Sequence, residues 1–247
     1  MCGAGTLSVA KALVETGMVK RVEPETKIVL ETPTGLVTVY VKWETHMVAS
    51  INLENVPAFL YRKDLHIDLA GYDDVSVDIG YGGNFFVLAD VHSLGLTITK
   101  DTANLLRSLS KDILAAANTV IKVAPPTNPA INYLDQVLFC QNVPEEDGGY
   151  LAQCIFGDAQ ADISPCGTGT STRLAQRYFR GLIGLEETFV QKSVCGGAFH
   201  AKGLRETTLG GVPAIVPYVS CSDVHITGFN HLIVEENDKL KNGFVSW

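Results

Sequence analysis

Apolar residues recur at helical spacing in three stretches of this chain: Leu7, Ala10, Val14 and Met18; Leu106, Leu109, Ile113, Ala117 and Val120; and Leu174, Tyr178 and Leu182. Positions three and four apart share one face of an α-helix, so each stretch predicts a helix with one buried side. The middle helix is expected to start near Asp101 and to stop before Pro125 and Pro126. Elsewhere the pattern alternates. Residues 27–31 and 36–43 flank Pro33-Thr34-Gly35 as a hairpin, and residues 75–79 and 85–91 flank the turn Tyr81-Gly82-Gly83-Asn84. Shorter strand candidates lie at 133–139, 151–156, 189–193, 214–219 and 231–234, separated by glycine, proline and acidic turns. Few helices among many short strands, without βαβ alternation, predict an α+β fold.

The first and third helices open on the same motif. Cys2-Gly3-Ala4-Gly5-Thr6 recurs as Cys166-Gly167-Thr168-Gly169-Thr170, and Gly17 and Gly181 stand eleven residues beyond Thr6 and Thr170 as matched helix terminators. The chain therefore reads as internally duplicated, with each repeated helix inside a curled, mainly antiparallel sheet. A boundary is placed in the least hydrophobic bridge, residues 61–74.

A glycine in a helix costs roughly 1 kcal/mol relative to alanine, so two in each motif call for bare backbone that something approaches closely. Helix N-termini bind anions and favour a thiolate over a thiol. Two such ends facing each other would supply two activated cysteines, Cys2 and Cys166, and one cradle for a carboxylate or phosphate. Ser164-Pro165 reads as a helix cap followed by a first-turn proline. A lone motif of this kind is more often a soft loop entering a helix; its duplication favours chemistry.

Composition narrows the partners. With 46% hydrophobic and 19% charged residues, a chain of 247 residues is globular. Its net charge of −8, with no Lys/Arg cluster, argues against nucleic acid or an anionic membrane, and for a small-molecule ligand. There is neither a membrane-spanning apolar run nor a signal-peptide pattern, so a cytoplasmic protein is expected. The other cysteines, Cys140, Cys154, Cys195 and Cys221, show no C-x-x-C pair or zinc-like Cys/His spacing. Neither a disulfide framework nor a metal site is expected, and most of these thiols read as core residues.

The chain resembles the proline racemases and 4-hydroxyproline epimerases over nearly its whole length. Met1-Cys2-Gly3-Ala4-Gly5-Thr6 is similar to that family's first catalytic motif, Gly82-Gly83-Asn84-Phe85 to its central motif, and residues 162–170, D-I-S-P-C-G-T-G-T, to its second. Asn55-Val56-Pro57-Ala58-Phe59 and Ile226-Thr227-Gly228-Phe229 fit as well. The resemblance implies two similar domains with a mainly antiparallel sheet curled around a central helix in each. The first, residues 1–70, would lack strands at its N-terminal side and be completed by a C-terminal strand near 226–247; the second would span 71–225. It also implies a reaction that uses no cofactor: one cysteine removes the α-proton of proline or hydroxyproline and the other delivers a proton from the opposite face. Backbone N–H groups of Gly3, Ala4, Gly167 and Thr168 could bind the carboxylate. Asp162 matches the aspartate that contacts the substrate amine, and Asn84 is a further substrate-binding candidate. Homodimerisation is what the resemblance suggests.

Two features depart from the family pattern. The residue after Cys2-Gly3 is usually histidine and here is Ala4, and family members carry a stretch ahead of the first motif. The competing readings are the trans-3-hydroxyproline dehydratase branch, which typically has threonine where this chain has Cys166, and an amino-acid-binding paralogue with impaired catalysis. Diaminopimelate epimerase is a further relative in architecture.

Overall fold

Alternating β-branched residues make β1 (Glu25–Thr32) and β2 (Gly35–Glu44) the hairpin that the sequence predicts, closed at the pair Thr32 and Gly35. Val37, Val39 and Val41 point inward along β2. The computed structural model describes residues 1–125, 127–143, 149–230 and 233–243. Its further strands are β3 (Met47–Glu54), β4 (Phe59–Ile67), β5 (Val75–Tyr81), β6 (Phe85–Asp90), β7 (Gln136–Asn142), β8 (Gly149–Phe156), β9 (Gln160–Ala161), β10 (Phe189–Lys192), β11 (Ala198–Leu209) and β12 (Val212–Cys221). The helices are α1 (Gly3–Glu15), α2 (Ala103–Val120) and α3 (Gly167–Phe179).

The strands form one sheet in the order β1-β2-β3-β12-β11-β10-β8-β7-β6-β5-β4, with β9 beside β8. Its pairs are antiparallel except β8 with β10 and β6 with β7. The far end curls back: Ala58, just ahead of β4, exchanges backbone hydrogen bonds of 2.8 and 2.9 Å with Ile215 of β12. The strands from β12 round to β4 thus enclose α3, which packs against β4, β5, β6, β11 and β12. A helix so enclosed is buried on more than one side, and every residue from Gly167 to Ala175 is buried. Two of its hydroxyls bond back to the preceding turn, Ser171 Oγ to Gly167 O at 3.0 Å and Thr172 Oγ1 to Thr168 O at 2.8 Å, and Thr170 Oγ1 donates to Pro165 O at 3.3 Å. α1 lies against the open part of the sheet, on β2 and β3. α2 covers the outside of the enclosure with Leu106, Leu109, Ile113 and Ala117.

Several expectations need correction. α1 ends before Met18 and α3 before Leu182, and both side chains are solvent-exposed. The chain turns at Gly17 (φ 73°) and Gly181 (φ 70°), the left-handed conformation that ends a helix. The expected boundary at residues 61–74 falls inside the β4–β5 hairpin: the polar run Arg62-Lys63-Asp64 belongs to a solvent-facing, bulged strand rather than a linker. β12 pairs with β3 on one side and β11 on the other, so the two halves share one continuous sheet. The strand expected at 231–234, and with it the completion of the first domain from 226–247, does not form among the described residues. Residues 226–230 and 233–243 carry no strand, and Ile233 is 90% exposed; His231, Leu232 and residues 244–247 lie outside the described residues.

Candidate active site

The two motif copies meet. A β-carbon on Gly3 would lie 2.7 Å from Gly167 Cα, and one on Gly167 would lie 2.8 Å from Gly3 Cα, so only glycine at both positions lets the starts of α1 and α3 touch. The second glycine of each copy has a different task. A β-carbon on Gly5 would come within 3.3 Å of Cys2 Sγ, and one on Gly169 within 3.0 Å of Cys166 Sγ. The bare backbone that the sequence calls for is therefore approached from two sides, by the opposite helix and by the motif's own thiol.

Each thiol caps its helix. Cys2 Sγ accepts from Gly5 N at 3.3 Å and Cys166 Sγ from Gly169 N at 3.4 Å, while Thr6 N and Thr170 N bond the two cysteine carbonyls at 2.9 and 2.7 Å. The Ser164-Pro165 cap that the sequence suggests is not used as one. Cys166 is itself the N-cap, with Gly167 the first helical residue, because its backbone turns at φ 65°. Ser164 instead supports that turn: its Oγ accepts from Cys166 N at 3.0 Å, and its own N donates to Asp162 Oδ1 at 2.8 Å. Pro165 O accepts from Gln191 Nε2 at 2.7 Å, which fixes the approach to the helix from below.

Both cysteines line one cavity of about 230 Å³, together with Met1, Gly3, Ala4, Asn84, Asp162, Gly167 and Thr168. Every residue singled out by the sequence thus reaches this wall. Their roles divide, however. The first N–H groups of a helix have no intrahelical acceptor, and Gly3, Ala4, Gly167 and Thr168, which carry such groups, all line this cavity. Asn84 is engaged elsewhere: its Oδ1 accepts from Met1 N at 3.0 Å and its Nδ2 donates to Met1 O at 2.9 Å. It holds the segment bearing Cys2 in place. Asn55 does similar work behind it, donating to Gly82 O at 3.0 Å and Ser171 Oγ at 2.9 Å, which ties the Gly82-Gly83-Asn84 turn to α3. Gly82 is needed there, since a β-carbon would lie 2.6 Å from Thr168 O.

Three lining or adjoining residues escape the sequence reading. Gln136 and Phe156 line the same cavity. So does Cys154, a third thiol that contacts Cys166; that hydrogen bond, with burial, pushes the Cys154 thiol well above its ordinary value. The donor atoms of Cys154, Asp162 and Cys166 all lie within 4.8 Å of one another. Such a cluster has no short-range spacing signature, because it is assembled across a hairpin. Only the strand register, with Cys154 opposite Asp162, could have pointed to it. Asp135 stands close by, its carboxyl raised by burial. A second cavity of about 550 Å³, bordered by Cys195, Cys221 and His225, shares Ala4 and Asp162 with the first. Among the described residues, no helix is long and apolar enough to cross a membrane.

Known proteins are similar to this chain. The proline racemase family profile matches residues 1–245. A trans-3-hydroxy-L-proline dehydratase of Burkholderia cenocepacia is 36% identical over 245 residues, covering 99% of this chain and 72% of the relative. A proline racemase of Acetoanaerobium sticklandii is 37% identical over 245 residues, covering 99% and 73%. A crystal structure of a hydroxyproline epimerase from Agrobacterium vitis, with bound trans-4-hydroxy-L-proline, matches 100% of this chain and 70% of its own, with a TM-score of 0.88 and 32% identity. The abutting thiol-capped helices, the enclosing sheet and the match over residues 1–245 agree, and the chain belongs to the proline racemase family.

Proposed function

We propose that the protein is a racemase or epimerase of proline or hydroxyproline in which Cys2 and Cys166 exchange protons with the substrate α-carbon. The observation that carries this reading is the pair of thiols capping two helices whose N-termini touch and open on one cavity. An α-proton becomes removable when the adjoining carboxylate is held by preorganised donors that stabilise the developing charge. The N–H groups of Gly3, Ala4, Gly167 and Thr168 form such a set, reinforced by two helix dipoles aimed at the same point. One cysteine, as thiolate, takes the proton; the other, as thiol, returns one to the opposite face. The two exchange roles in the reverse direction. Asp162, with Oδ1 turned to Ser164 N, offers its second oxygen to the substrate ammonium.

The test is hydrogen exchange at the α-carbon of L-proline and of trans-4-hydroxy-L-proline in D2O, followed by NMR, with optical rotation to register inversion. Serine in place of either cysteine keeps the shape but cannot shuttle a proton near neutral pH, so Cys2→Ser and Cys166→Ser should each lower inversion by about 10²–10⁴-fold, while the remaining thiol can still exchange the α-proton on its own face. Undiminished inversion by either variant would end the two-thiol reading. The dehydratase branch is the second reading, since a dehydratase relative is as similar as a racemase. A thiol at Cys166 favours isomerisation, and loss of water from trans-3-hydroxy-L-proline without α-proton exchange of the other substrates would reverse that preference.

A further inference from the structure

We propose that Cys154, Asp162 and Cys166 form a binding site for a thiophilic divalent cation of the zinc class, and that an ion bound there withdraws Cys166 from proton transfer. The site is built by the backbone. In the β8–β9 hairpin Ile155 pairs with Ala161 and Phe156 with Gln160, and the ladder continues one step further through Asp162 N to Cys154 O at 2.9 Å. Residues directly opposite across an antiparallel pair share a face, with β-carbons about 4.5–5.5 Å apart. Gln153 locks that step by donating from Nε2 to both Cys154 O (3.1 Å) and Asp162 O (2.9 Å). The Asp162–Ser164–Cys166 hydrogen-bond relay and the φ of 65° at Cys166 then fold the third donor back onto the first two.

The donor set selects the ion. Two sulfurs and one carboxylate suit zinc or cadmium, whereas magnesium and calcium require shells of oxygen. Zinc–sulfur and zinc–oxygen bonds of about 2.3 and 2.0–2.2 Å place two ligands of one ion roughly 3.3–3.9 Å apart. Donors already within 4.8 Å of one another reach that spacing by small side-chain rotations. The groups behind them are in place: Gly169 N donates to Cys166 Sγ, and Ser164 N orients the Asp162 carboxylate. Three protein donors leave a fourth position facing the cavity, open to water or to a carboxylate. Cys2 is not among the three. The loss of proton transfer on binding rests on the catalytic role proposed above for Cys166; the ion site itself does not.

The test uses the whole chain with Cd²⁺, followed by its thiolate-to-metal charge-transfer absorption, and with Zn²⁺ in competition with a chromophoric chelator. One equivalent should bind, unaffected by excess Mg²⁺. Cys154→Val and Cys166→Ser should each weaken binding at least ten-fold, while Cys2→Ser should retain it. Circular dichroism checks the fold of each variant, and Cys154→Ser serves if the valine variant does not fold. A parent protein without a charge-transfer band at one equivalent would overturn the site. Equal losses in Cys2→Ser and Cys154→Val would overturn it too, by moving the ion between the two catalytic thiols. In the parent, inversion of the substrate should fall in proportion to Zn²⁺ occupancy and return on chelation. Undiminished inversion at full occupancy would overturn the withdrawal of Cys166. If the parent shows no exchange even without metal, the racemase reading fails and the withdrawal of Cys166 falls with it, while the ion site is still decided by absorption.

Discussion

α1 and α3 begin on the same motif, yet α3 is buried at every residue of Gly167–Ala175, whereas in α1 only Gly3, Thr6, Leu7, Ala10 and Val14 are buried and Ser8 and Val9 face solvent. The thiols differ in the same sense, Cys166 being buried and Cys2 exposed. Cys166 holds a left-handed backbone that its neighbours enforce, through Ser164 at its nitrogen and Gln191 at Pro165. Cys2 sits in ordinary extended backbone, φ −117°, and owes its position to Asn84 and to the contact with Gly167. One thiol is thus set by a rigid scaffold, and the other is located against it. The ends of the helices repeat the contrast: α3 is pinned at Arg180, which reaches the buried Asp78 at 2.7 and 2.8 Å, while α1 closes on Thr16, whose hydroxyl merely bonds back to Ala12 O.

Removing the pin should have the largest effect. Arg180→Ala leaves Asp78 buried with only Gln176 and the Asp64 N–H as partners, and loss of one member of such a pair costs about 3–5 kcal/mol. Urea unfolding should show it. Burial opposes ionisation of Asp78, but Arg180, Gln176 and the Asp64 N–H outweigh it and hold the carboxyl below its ordinary 3.8. A depressed folded-state value contributes stability that is present above the unfolded value and lost as pH falls through the folded one. The parent should therefore weaken in acid below about pH 4, and Arg180→Ala should weaken less steeply there. An unchanged acid limb would separate Asp78 from the stability of α3.

Next comes the helix contact. Gly167→Ala and Gly3→Ala introduce almost the same clash, but α3 has nowhere to move. Overpacking costs typically 1–3 kcal/mol; Gly167→Ala should fall near 3 and Gly3→Ala near 1, with α-proton exchange abolished in both. Equal costs in thermal unfolding would break the asymmetry. The smallest effect is expected at Asn84→Ala. It should remove about 1 kcal/mol of stability and lower kcat roughly ten-fold through misplacement of Cys2, with the reactivity of Cys166 toward a thiol reagent unchanged. If Cys166 reactivity changes as well, Asn84 supports both halves.

Much of this was legible in the chain. The β1–β2 hairpin follows from spacing alone, as does the core face of α2 from Leu106 to Ala117, although Val120, expected on that face, is exposed at the helix end, and the duplicated motifs locate both thiols. What stayed hidden depends on contacts distant in sequence. β11 alternates Phe199, Ala201 and Gly203 inward with His200 and Lys202 between them, a weak signal because two of the three inward residues, Ala201 and Gly203, are small. β4 is disguised by bulges at Leu60/Arg62 and Arg62/Leu65, which break its alternation. Ser164 has the composition of a cap, but a thiol with room beside Gly169 takes that position. Cys154 carried no signal at all until the register placed it opposite Asp162.

The meeting of Gly3 and Gly167 has a consequence for how such a site can diversify. Where two helices are spaced by side chains, their separation can drift by a methyl group at a time. Here main chain meets main chain, and the interval between the two thiol-capped helix starts is set by the dimensions of the peptide backbone itself, closed to any gradual adjustment. Selection for a larger or smaller ligand is then confined to the walls, at Ala4, Gln136 and Phe156, while the span between the helix starts stays the same.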